Sequence, residues 1–301
     1  MWVCPQCREP QSFAASGEPW PEGSACPQCG HRIPHENGIA CLAPALIQSN
    51  EGFDPALFEV LVQFEGSSFW FVNRARLICA LLAKHFPDTR HMLEIGCGSG
   101  SVLLALATEF PRLHLVGSEL HPEGLAFARG RLGAKAALLQ MDARAIPAEA
   151  EFDVIGAFDV IEHIMEDEEV LQQIHTALKP GGGTIIAVPQ HPWLWSPADD
   201  AAFHRRRYRR GELEGKLKAA GFEVLHSTSF NAVLLPLMLV SRQLMVRRVK
   251  AGAAVDPLGE FRMSRGLNRL LSAALRIEVG LTEAGLNWPF GGSRFVVARR
   301  P

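Results

Sequence analysis

Net charge is almost absent from this 301-residue chain. Thirty Lys plus Arg against 32 Asp plus Glu leave −2, so no global field advertises a nucleic-acid or acidic partner, and any basic surface is local. Long hydrophobic runs are missing as well. The longest, Ala232 to Val240, is interrupted by Pro236 and is much too short to span a bilayer. The first residues, Met-Trp-Val-Cys-Pro-Gln-Cys, carry no basic segment followed by an apolar stretch of the secretory kind, and the expected location is cytoplasmic. What is present excludes disorder across the whole chain and a fibrous class: 48% of residues are hydrophobic, 21% are charged, and the mean hydropathy is +0.06. The length favours one large domain with additions, or two unequal domains.

Cysteine is scarce after the first 29 residues, which hold four of the seven. In a reducing compartment such clusters are usually metal sites and not disulfides. Cys4, Cys7, Cys26 and Cys29 form C-x2-C-x18-C-x2-C, in which two tight turns each present a thiolate pair to one tetrahedral zinc. Four thiolates close such a site, so its role is structural or recognitional. His31 and His35 are surplus donors beside them. The expected ribbon occupies residues 1–40, and its Gly-, Ser- and Pro-rich interior needs metal to fold.

Residues 50–90 read as helical. Apolar positions from Leu57 to Leu82 recur at three- and four-residue intervals, and Gly66-Ser67 separates two helices. The Phe69-Trp70-Phe71 cluster with Arg74 either edges a ligand pocket or forms a packed helix face. His91 to Ile95 is then a short strand running into Gly96-Cys97-Gly98-Ser99-Gly100 and a helix near Ser101, a geometry that admits a ligand against backbone N–H groups. A dinucleotide fingerprint would need glycine at 101, where this chain has Ser. The second strand ends on Glu119, nineteen residues after Gly100, where a carboxylate is placed to accept ribose hydroxyls. Further strands are expected at 136–140, 152–158, 184–188, 222–230 and 294–298, with Leu178 to Gly183 as a helix-ending turn.

The run Leu93-Glu94-Ile95-Gly96-Cys97-Gly98-Ser99-Gly100, with Glu119, Met141-Asp142-Ala143 and Asp159 to His163 in order, resembles class I S-adenosylmethionine-dependent methyltransferases of the type 11/12 kind. The resemblance implies an α/β fold, a Rossmann-like seven-stranded sheet with helices on both faces, over residues 91–301. It also implies that Glu94, Gly96, Gly98 and Gly100 cradle the methionine half of S-adenosylmethionine. Glu119 and Leu120 would take the ribose, Asp142 and Ala143 the adenine, and Phe158 would line the site. A zinc ribbon also precedes some bacterial methyltransferases, among them ribosomal-RNA guanine methyltransferases.

Methyl transfer from a sulfonium is a one-step displacement that mainly needs alignment and exclusion of water, and on this reading no metal is required at the transfer site. An acceptor of high pKa needs a base, for which His163 is the candidate; the alternative is that His163 only hydrogen-bonds within the fold. No [D/N]-P-P-[Y/F/W] sequence follows the fourth strand and no Pro-Cys pair lies there, which disfavours nucleobase chemistry. Positions 189 to 210 concentrate Ser196, Asp200, His204, five arginines and Tyr208, the only tyrosine. His204, Arg206, Arg207 and Tyr208 are the expected substrate-binding residues, suited to one phosphate or carboxylate. The stretch resembles one found in methyltransferases of envelope-glycan and lipid pathways, so the expected acceptor is small, or lipid- or glycan-linked, and methylated on oxygen or nitrogen. The alternatives are an RNA methyltransferase that reads RNA through its ribbon and a non-catalytic ribbon adaptor. An insertion at about 231–290 is open to use as a lid, a peripheral membrane contact or a dimer interface, and the oligomeric state is left open.

Overall fold

The computed structural model describes residues 1–13, 18–47, 54–256 and 259–301, so positions 50–53 of the expected helical segment lie outside the described residues. The ribbon supplies β1 (Trp2–Val3), β2 (Pro10–Gln11), β3 (His35–Glu36) and β4 (Ile39–Cys41). Helices α1 (Phe58–Glu65) and α2 (Phe69–His85) follow, parted at Gly66 as the sequence pattern requires. The alternating core is β5 (His91–Ile95), α3 (Ser101–Glu109), β6 (His114–Glu119), α4 (Pro122–Leu132), β7 (Ala136–Gln140), β8 (Phe152–Phe158), α5 (Asp167–Ala177) and β9 (Leu178–Pro189). Then come α6 (Pro197–Ala201), α7 (Glu212–Ala219), β10 (Glu223–Phe230), α8 (Leu235–Lys250), α9 (Arg265–Glu283) and β11 (Ser293–Arg299).

Among the described residues these strands form one nine-stranded sheet, ordered β10-β11-β9-β8-β5-β6-β7-β4-β3, and a separate β1-β2 pair. Within it β11 runs antiparallel to both neighbours, while β5 to β9 are mutually parallel. Strand order reverses between β8 and β5, which opens a crevice at their carboxyl ends, the usual ligand position in such sheets. One face is covered by α5, α7 and the ribbon, the other by α2, α3, α4 and α9.

Two expectations change. The sheet has nine strands and not seven, because the ribbon's β4 pairs in parallel with β7 (Ala40 with Leu139, Cys41 with Gln140) and β3 continues it. The ribbon is therefore no detached module. Val3 N–H donates to the Pro147 carbonyl at 2.9 Å, and Trp2 meets Phe152 edge to face at 5.5 Å. The glycines at 181–183 also continue β9 in place of a turn. A side chain at Gly183 would stand 2.0 Å from Phe86 Cζ, so glycine lets the strand pass beneath that ring.

Candidate active site

The β5–α3 turn sits in the crevice. Gly96 has φ +63°, and a Cβ there would lie 2.4 Å from Val160 Cγ2, so only glycine brings β8's exit this close. Gly100, at φ +76°, faces Leu132 and Ala128 of α4 and does not line the cavity; its part is to turn the chain into α3. Glu94 is buried with Oε2 unpartnered. Burial, against the pull of Arg74, raises its pKa to about 8, with Glu119 and Glu65 adding to the rise. A buried carboxyl short of a partner fits the cationic methionine half of the expected cofactor. Glu119 accepts from Gly98 N–H at 3.0 Å, Leu120 N–H at 2.7 Å and His121 N–H at 3.1 Å, which fixes its carboxylate at the crevice wall. Asp142 is held by Arg144, with Nε at 3.1 Å from each carboxylate oxygen.

All the expected cofactor residues except Gly100 line one cavity of about 780 Å³, within the range of small-molecule sites. Helix α1 closes its cofactor side: Ser99 Oγ donates to Glu65 at 2.5 Å, and Arg131 pairs with Glu65 at 2.8 Å. The far half is apolar where the insertion arrives, through Leu234, Leu237, Met238, Phe261, Met263 and Leu271. Phe69, Trp70 and Phe71 join that wall, so the aromatic cluster edges a pocket. Arg74 is buried there, donating to the Phe158 carbonyl at 2.8 Å, paired with Asp159 at 2.6 Å and lying over the Trp70 ring. Asp159 holds φ +57°, a strained value for a non-glycine residue and one more mark of a functional turn.

The expected acceptor residues divide. His163 and His204 meet in the cavity wall, ring centroids 4.8 Å apart, and Arg207 lines it beside them. Burial, reinforced by His204, lowers His163's pKa to about 3, which leaves it neutral and a weak base. Tyr208 is fully buried, its hydroxyl donating to Asp167 at 2.7 Å, and lies outside the cavity. Arg206 pairs with the same Asp167 at 2.7 Å and also stays outside. The arginines thus do not converge on one anion: Arg207 is consumed by Asp199 at 2.6 Å. Neutralising Arg206 and Arg207 together is expected to lower the thermal midpoint by several degrees, read by a melting curve, in place of a selective rise in acceptor KM.

Asp199, which the sequence pattern did not single out, is the charged hub of this corner and lines the cavity. It is fully buried and receives His204 Nδ1 at 2.9 Å, Arg207 Nε at 2.6 Å and Arg242 at 3.2 Å. Its signal was the Ser196-x-x-Asp199 spacing, a capping box that opens α6.

At the amino terminus, Cys4 and Cys29 sulfurs lie 3.7 Å apart and Cys7 and Cys26 sulfurs 3.6 Å apart. Thiolates around one zinc at about 2.3 Å stand roughly 3.8 Å apart, so the spacing fits a tetrahedral ion. Backbone N–H groups of Cys29 and Gln28 favour the Cys26 thiolate and lower its pKa.

A family model described as a methyltransferase domain matches residues 70–227, more than half of the chain, and the chain belongs to that family. It is 29% identical over 161 residues to a probable S-adenosylmethionine-dependent methyltransferase of Mycolicibacterium smegmatis, covering 52% of this chain and 60% of that protein. It is 30% identical over 120 residues to a trans-aconitate 2-methyltransferase of Variovorax paradoxus, covering 40% of this chain and 46% of that one. The chain thus spans about half the length of these curated relatives. In structure it is similar to Haemonchus contortus phosphoethanolamine N-methyltransferase 2 in complex with S-adenosyl-L-methionine, with a TM-score of 0.50, 22% identity, and coverage of 74% of this chain and 51% of that one. That likeness concerns the fold alone.

Proposed function

We propose that the protein is an S-adenosylmethionine-dependent methyltransferase acting on an oxygen or nitrogen of a small, largely apolar acceptor, lipid- or glycan-linked acceptors included. The carrying observation is the single cavity in which the Gly96–Gly98 turn, Glu119 and Asp142 form one half and the apolar insertion wall forms the other. Relatives named trans-aconitate 2-methyltransferase and ubiquinone biosynthesis O-methyltransferase support a small-molecule acceptor. The polar corner at His163, His204 and Arg207 is where the acceptor's reacting end belongs, and the apolar wall takes its body. The ribbon over residues 1–40 holds one structural zinc through Cys4, Cys7, Cys26 and Cys29. No helix among the described residues is long and apolar enough to cross a membrane. Exposed Leu237, Val240 and Leu244 on α8, beside Arg247, Arg248 and Lys250, suit a peripheral lipid surface from which such an acceptor would be drawn.

Calorimetry tests the cofactor half. Glu119→Ala is expected to weaken S-adenosylmethionine binding ~10- to 100-fold, from the loss of about 1.5–3 kcal/mol of charge-assisted hydrogen bonding. Unchanged affinity in that variant, or tight NAD binding by the parent, would sink the reading. Methyl label supplied with extracts then sorts acceptors, and label recovered in RNA would turn the choice to the RNA alternative.

A further inference from the structure

Beside the cofactor wall lies a group of ligand-type side chains of which the methyl-transfer reading uses only two, His163 and His204, as the polar corner for the acceptor, and leaves Glu162 without a task. Glu162 sits in the short turn after β8, fully buried, and neither carboxylate oxygen has a hydrogen-bond partner. A carboxyl taken out of water with nothing bound is costly, and native proteins keep one only where a partner arrives. The next residue, His163, is in the same condition at Nδ1. The loop after α6 carries His204 to the same point, so that donor atoms of Glu162, His163 and His204 all lie within 4.8 Å of one another.

We propose that Glu162, His163 and His204 bind one divalent transition-metal ion, with Asp199 as a positioning residue that orients His204. Three features argue for an ion over a chance cluster. Asp199 accepts from His204 Nδ1, which leaves Nε2 as the nitrogen available to an ion, and a carboxylate behind a histidine is the recurrent arrangement at metal centres. The His163 and His204 rings meet edge to face, centroids 4.8 Å apart, beside the unpartnered Glu162 carboxyl. The neighbouring guanidiniums are already engaged, Arg74 by Asp159 and Arg207 by Asp199, so they do not satisfy Glu162. Ligands at about 2.1 Å around one ion stand roughly 3.0–3.5 Å apart, so modest side-chain rotation closes the set. Two imidazoles with one carboxylate select zinc, manganese, iron or cobalt over magnesium and calcium, which prefer all-oxygen shells.

Among the described residues three protein donors converge, and two of them, His163 and His204, line the cavity, so an ion held there would be within reach of a bound acceptor. Hydroxyl or carboxylate oxygens of an acceptor would anchor there, which places the acceptor class among oxygen-bearing chelators. That use rests on the methyltransferase reading; the binding of the ion does not.

The test uses the full chain with its cysteine site loaded with zinc, so that the thiolates are occupied. Manganese(II) is titrated and the free ion followed by electron paramagnetic resonance, and bound zinc, cobalt and iron are counted after dialysis. The expected result is one ion per chain beyond the cysteine-bound zinc. His204→Gln and Glu162→Gln should each weaken manganese binding at least ~10-fold, and Asp199→Asn ~10- to 100-fold. His204 is partly exposed, so His204→Gln should still fold, with a modest loss of thermal midpoint from its Asp199 contact, and should keep the parent's S-adenosylmethionine affinity. A parent that takes up none of the four ions beyond the cysteine site overturns the proposal, as does unchanged manganese affinity in both folded variants. Cofactor affinity, measured separately, tells this failure from that of the methyltransferase reading.

Discussion

Stripping the proposed zinc from the amino-terminal cysteines, or replacing Cys4 and Cys29 together with serine, is expected to lower the melting midpoint by ~10–20 °C and to promote association. On the zinc reading proposed above, a ribbon of 40 residues with so little core of its own folds only around its ion, so losing the ion removes what the ribbon contributes to the rest. That contribution is large. Trp2, Trp20 and Ile33 are buried in the same apolar cluster as Ile95, Leu139 and Ile146, and re-exposing three such side chains costs on the order of 5 kcal/mol. At about 2–4 °C per kcal/mol for a domain of this size, the shift follows. Loss of β4 also uncovers the β7 edge, a template for pairing with another chain. Cofactor affinity should fall too, because Gln140 bridges the seam, donating to Ala43 O at 3.0 Å and to Leu120 O at 3.1 Å, beside the residues proposed to take the ribose. The sequence alone suggests that residues 1–40 are dispensable for cofactor binding; the shared sheet argues otherwise. Melting curves with and without chelator decide, and coincident curves would count against the coupling.

That the expected cofactor residues would share one cavity wall was legible because each part of that wall is local. A strand of four or five apolar residues, a glycine turn and a carboxylate at the next strand end are all written in adjacent positions, and β5, β6, β7 and β8 lie where their patterns put them. The acceptor corner was not legible, because its meaning depends on pairings 40 residues apart. Five arginines in six positions read as an anion site, yet Arg206 and Tyr208 answer to Asp167 on α5, and only the fold brings these together. The edge pairing of β4 with β7 is non-local in the same way, across about 100 residues, and nothing in either segment announces it. Asp199 shows the middle case. Its capping-box spacing marks a helix start, whereas its tie to Arg242 of α8 is set by tertiary packing.

Asp199→Ala is expected to have the largest single-residue effect, a loss of about 3–5 kcal/mol, because it strands Arg207 as a buried charge without its carboxylate. Asp199→Asn should cost less, since the amide oxygen still accepts from one of the three donors. The pH dependence follows from the same contacts. Burial alone would raise the Asp199 pKa, but His204, Arg207 and Arg242 outweigh it and hold the carboxyl well below the usual carboxylate range. A folded-state pKa below the unfolded value near 3.9 means stability that is complete above that value and is lost as the pH falls toward the folded one. Acid melts of the parent should therefore show a steep loss below about pH 4 that is shallower in Asp199→Asn, which has no proton to take up at this position. Parallel acid limbs in the two proteins would mean that the Asp199 hub does not carry this stability, and that the α6–α8 corner of the cavity is held by packing.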